Sequence, residues 1–228
     1  MRDPNPFAPP EAELKATPPA DALKAIGSLV PWIRGTGYAQ VGFTVVTMLL
    51  TLAGAEDDPE SALALIDALV SIPMLLALLA NGLLLYIWVY RAVKAAQTLR
   101  EAPQPRGPGM TVASFFLPIV SLFWPYQSVK ALFQASAPED GFDVPFAGDP
   151  TSTRILLWWG AHVISAAAGQ AYMRMSLRPE IALDGALVML DLVGDCANLI
   201  EVPLSIWVVA TITTRMLERA RRLGVPLR

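Results

Sequence analysis

The chain has 228 residues, of which 54% are hydrophobic and 16% charged, with a mean hydropathy of +0.46 and a net charge of −3. Ordinary soluble domains carry about 25% charged residues, so the deficit points to several lipid-facing segments, and no basic stripe interleaved with aromatics suggests nucleic-acid binding. Cys196 is the one cysteine and His162 the one histidine, which excludes an internal disulfide, a CxxC metal or redox pair and bis-His haem ligation; no metal or cofactor is expected.

Residues 1–20 hold six prolines and no apolar run, so they read as a Pro-rich arm without stable structure rather than a signal peptide. Residues 21–34 place Leu23, Ile26, Leu29 and Val30 at helical spacing and predict a short interfacial helix, ended or kinked by Pro31. The first crossing is expected at 36–54, uncharged, with Thr44, Thr47 and Thr51 on one face for bonding to a neighbouring helix. An acidic connector at 55–61 leads into a helix that carries Asp67 and is bent at Pro73. The second crossing, 71–91, ends in the aromatic belt of Tyr86, Trp88 and Tyr90, with Asn81 at mid-membrane.

The stretch 110–136 is apolar enough to enter a bilayer, but Pro118 and Pro125 interrupt it. It predicts a re-entrant or interfacial hairpin, with 129–136 an amphipathic helix. An acidic loop at 137–150 precedes a third full crossing at 152–175, where Ala161, Ser165 and Gly169 recur every fourth residue and suit close helix packing. The last crossing, 185–212, runs into a basic tail at 213–228. Lys/Arg excess at membrane boundaries sets orientation. Four crossings put Lys24, Arg34, the basic 91–106 loop and the tail on one side, whereas five would separate them. The expected architecture is therefore all-α: a polytopic bundle with four crossings, a Pro-broken hairpin, and both termini in the cytoplasm.

Several of these residues form a recognisable set. Trp88-x-x-Arg91, Pro108-Gly109, Phe116-Leu117-Pro118-Ile119, Trp124-Pro125-Tyr126-Gln127, Ala135-Ser136 and Trp158-Trp159 together resemble the bacterial membrane family known as domain of unknown function 4328. The likeness extends over roughly 36–222, with Ser121 where the pattern leads one to expect Asn. It implies a multi-pass bacterial inner-membrane protein and brings no activity with it.

The strongest chemical signal is on the last crossing. At about 100° per residue, Asp191, Asp195 and Asn198 share one face, with Glu201 at its edge and Ser205 continuing it. Acids at membrane depth mark either a functional path or a buried pairing. The candidate partners are Arg154, Arg174, His162 or a second copy of the chain. No Walker loop, GxGxxG or Gly-x-Ser-x-Gly is present, and Asp195 lacks the second aspartyl motif of an intramembrane protease, so no enzyme activity is expected. The expectation from sequence is a non-enzymatic membrane protein acting by assembly or partner binding, as a homo-oligomer or through a soluble partner of the Pro-rich arm. The alternative is a small proton or cation transporter using the acidic stripe.

Overall fold

The computed structural model describes residues 20–54, 60–99, 104–117, 119–136, 150–178, 185–222 and 224–225. The Pro-rich arm, Pro118, most of the two acidic connectors and the last residues of the tail lie outside them. The described residues form seven α-helices, in order α1 (Ala20–Gly27), α2 (Val30–Leu52), α3 (Ala62–Leu99), α4 (Pro108–Ala113), α5 (Trp124–Ala135), α6 (Pro150–Ser176) and α7 (Ala186–Arg222). No strand occurs among the described residues.

Among the described residues three helical stretches are long and apolar enough to cross a bilayer: Ala20–Leu52, Ala62–Gln97 and Ala186–Arg222. On α3, Leu65, Leu69, Ile72, Leu76, Leu79 and Leu83 are each 60–63% exposed. They recur at alternating steps of four and three, one continuous stripe. An apolar stripe of that length facing water would be an aggregation surface; facing lipid it is the expected outer surface of a membrane helix. At 27 residues α6 has the length to cross, but His162, Arg154, Arg174 and many small side chains keep it below the apolarity of the other three. The helices α4 and α5 have 6 and 12 residues, and each falls short of the about 20 that a crossing needs.

Prolines act differently from the simple breaking rule. Pro31 sits in the first turn of α2, where its missing N–H costs nothing and its fixed φ suits helix entry. The break falls instead at Ser28 and Leu29, between α1 and α2. Pro125 likewise opens α5 rather than interrupting it, so that helix begins at Trp124, earlier than the amphipathic pattern suggests. Pro73 and Pro203 lie inside unbroken helices; α3 is one helix of 38 residues, about 57 Å at 1.5 Å per residue, with Asp67 near its start.

The principal packing partners are α6 with α7, α2 with α3, and α2 with α7. The α2–α7 contact is close: a Cβ added at Gly37 would stand 2.9 Å from Ile206 Cδ1 and 3.2 Å from Val202 Cγ1. The hydrophobic core gathers at the end of the bundle that carries the arginines. Leu23, Ile26, Trp88, Val89, Ala92, Leu132, Phe133, Ile155, Val209, Ile212 and Met216 are all buried there.

Candidate functional site: an acidic chamber in the bundle

The family-type residues organise the basic end. Trp88 is fully buried, and its indole N–H donates to Thr213 Oγ1 of α7 at 2.9 Å. Arg91 Nη1 donates to the Ala25 carbonyl at 3.2 Å, tying α3 to the end of α1. Arg106 clasps the following segment: its guanidinium donates to Gln127 Oε1 at 2.8 Å and lies 4.0 Å over the Trp124 ring. Tyr126 packs against the core and Pro125 is buried. Between α4 and α5, Ile119 adopts φ 65°, a left-handed conformation that strains a β-branched residue. The adjoining turn is held by Trp159, whose indole N–H donates to the Leu122 carbonyl at 2.9 Å. Phe115 and Phe116 both pack on Tyr86, with ring centroids 5.3 and 5.0 Å away.

The acidic stripe of α7 lies elsewhere, in the other half of the bundle, and faces a chamber of about 740 Å³. One wall is polar. On α2 the buried positions Gly37, Gln40, Thr44, Thr47 and Thr51 recur at helical spacing and face into the bundle; of these Gln40 lines the chamber, and two of the threonines hold lining residues of α7. Thr51 Oγ1 donates to Asp191 Oδ2 at 3.2 Å, and Thr44 Oγ1 to Asn198 Oδ1 at 3.3 Å. Deeper toward the basic end, Asn81 Nδ2 of α3 donates to Gln40 Oε1 at 3.3 Å, and Thr36 donates to Asn81 Oδ1. On α6, His162 Nδ1 is hydrogen-bonded to Glu201 Oε1 at 2.7 Å, and its ring stacks on Trp159 at 4.8 Å. The opposite wall is apolar, made by Met74, Leu78 and Leu83 of α3 with Phe115 and Phe116.

Asp195 is the exception in this wall. It is only 7% exposed and lines the chamber, and its carboxylate makes no hydrogen bond among the described residues; Oδ2 is fully enclosed. Asp191 and Asp67 lie within Coulombic reach of it. Among the described residues no Lys or Arg lines the chamber. Arg154 lies 5.0 Å over the Trp207 ring instead; among the described residues no arginine pairs with the acidic stripe, and Glu201 alone of its acids finds a basic partner, in His162. An enclosed carboxylate without a donor is costly at membrane depth. The depth follows from α2: Thr44 lies eight residues before Leu52, about 12 Å from the helix end, and its partner Asn198 is one turn from Asp195.

Of the three small residues on α6, Ala161 is buried, while Ser165 and Gly169 line the chamber. A Cβ at Gly169 would meet nothing within 4 Å. The close approach of α6 and α7 falls at Ala168, whose Cβ would be 3.6 Å from a Cβ at Gly194. Sequence reasoning overlooked Gln40, Phe115 and the clasp of Arg106. Gln40 is an isolated amide in an apolar run and could have been paired with Asn81 as a second intramembrane amide. Among the described residues no group of three or more His, Cys, Asp or Glu side chains converges as a metal site.

The model of the family described as Domain of unknown function (DUF4328) matches residues 55–214, and the chain belongs to that family. No curated protein and no solved structure matches it.

Proposed function

We propose that this DUF4328 protein is a cation-binding membrane protein whose working site is the acidic chamber, exchanging a proton or a larger cation at Asp195 as part of transport. The observation that carries this reading is the Asp195 carboxylate itself: enclosed, without a hydrogen-bond donor, and lining a space far larger than a packing defect. A packed bundle would place a donor against it or replace it with an apolar residue. Asp191, with its threonine donor, is the neighbouring second carboxylate, and the His162–Glu201 pair a further titratable station. The reading requires no covalent chemistry.

In this account α6 completes a four-crossing bundle and α4–α5 form a re-entrant hairpin. The arginines at one end of the bundle support a cytoplasmic location for both termini in a bacterial inner membrane. Modification by dicyclohexylcarbodiimide, which attacks protonated carboxyls in apolar surroundings, tests the site. Mass mapping is expected to find the adduct on Asp195, formed several-fold more slowly when sodium, potassium or tetraalkylammonium ions occupy the chamber. No adduct, or an adduct indifferent to every cation, would contradict the reading.

Assembly is the second reading, supported by the long exposed apolar stripe of α3, which a second copy could cover in place of lipid. A soluble partner of the Pro-rich arm belongs to this reading as well. Native mass spectrometry from nanodiscs tests for the homo-oligomer, and a purely monomeric protein would count against it.

A further inference from the structure

Resting on the cation-binding reading, we infer that the ligand is a lipophilic organic cation, an ammonium-type charge carried on an apolar body, and that it enters sideways from the bilayer between α3 and α6. Size gives the first argument. A water molecule takes up about 30 Å³ of liquid volume, so a bare ion would fill a small part of a chamber of about 740 Å³. That volume lies within the range of about 300–1,000 Å³ that holds drug-sized ligands.

The lining gives the second argument. One side presents the unpartnered carboxylate of Asp195, with Asp191 one turn away; the other presents Leu78, Leu83, Phe115 and Phe116. A small hydrated ion gains nothing from that apolar half, whereas an amphipathic cation satisfies both halves. The acids disfavour an anion, with no Lys or Arg in the lining among the described residues, and a divalent ion lacks a converging ligand group there.

Access gives the third. α6 packs along α7 and α3 along α2, and α3 and α6 make no extended contact with each other. The chamber-lining residues at this gap, Leu79 and Leu83 on α3, are exposed on the face that meets lipid. A ligand dissolved in the bilayer therefore reaches the carboxylate without crossing the packed basic end.

The test is equilibrium binding of radiolabelled tetraphenylphosphonium to the full-length protein in phosphatidylcholine nanodiscs, corrected with empty discs. Saturable binding is expected, at least tenfold weaker in Asp195→Asn, and uncompeted by tetraphenylborate, the anion of the same shape. Ala166→Trp, which narrows the gap from α6 while keeping every acid, should slow association severalfold. Elution of each variant as a monodisperse peak confirms folding. Equal affinity in wild type and Asp195→Asn would overturn the inference. So would no saturable binding; if carbodiimide modification of Asp195 is nonetheless slowed by sodium or potassium, the cation site stands and only the lipophilic ligand falls. Failure of both experiments removes both.

Discussion

The two halves of the bundle are built on opposite principles. At the basic end, two of the indoles that enter the core find partners, Trp88 at Thr213 and Trp159 at the Leu122 carbonyl, while the buried Trp158 N–H has none among the described residues. Around them the Leu, Ile, Val and Met side chains of α1, α3, α5, α6 and α7 gather into one buried cluster. In the other half α2 and α7 remain in contact, α3 and α6 stand apart, and Asp195 is enclosed without a donor. The hydrophobic core gathers in one half, and the enclosed carboxylate lies in the other. Structures that bind ligands in low dielectric commonly keep such groups at the cost of stability, and here the two properties are separated along the length of the bundle.

That separation predicts which substitutions unfold the protein and which only silence it. Trp88→Ala should have the largest effect, about 3–5 kcal/mol, from the loss of a fully buried indole and the cavity left behind; denaturant unfolding in detergent measures it. Gly37→Leu should cost about 1–3 kcal/mol through overpacking against Ile206 and Val202, seen as a lower unfolding midpoint. Thr213→Ala strands the buried Trp88 N–H and should cost about 1–3 kcal/mol. Asp195→Leu should leave the unfolding midpoint unchanged or raise it, while abolishing tetraphenylphosphonium binding. A clear loss of stability there would show that the carboxylate serves packing. Gly169→Ala should stabilise by about 0.5–1 kcal/mol, since the added methyl meets open space and the helix gains propensity.

Much of this division was legible in the sequence, though not its spatial meaning. The apolar runs, the shared face of Asp191, Asp195 and Asn198, and the threonine face of α2 follow from helical period alone. The Trp88 to Gln127 motif carried the family. Which partner each polar group meets depends on how helices far apart in the chain are paired and rotated, and periodicity is silent on that. Thr51 and Asp191 are separated by 140 positions, and Thr44 and Asn198 by 154. Arginine was the natural electrostatic partner for the acids, yet Arg154 lies against the aromatic ring of Trp207. The chamber itself is a gap between helices, and a gap has no residues of its own to read. The prolines misled for a related reason: a helix breaker in the interior is a helix starter at the first turn, and the chain places Pro31 and Pro125 at starts.

The claim that one half is an accessible chamber and the other a dry core is tested most directly by thiol labelling. In a Cys196→Ser background, single cysteines replace Asp195 and Asn198 in the chamber and Val209 and Ile212 in the core, and a small membrane-permeant maleimide is added to the protein in nanodiscs. Fast modification at 195 and 198, slowed by tetraphenylphosphonium at 198, with 209 and 212 unreactive until the protein is unfolded, is the result this account predicts. Equal protection at all four positions would mean that the acids are buried as tightly as the core, and would contradict it.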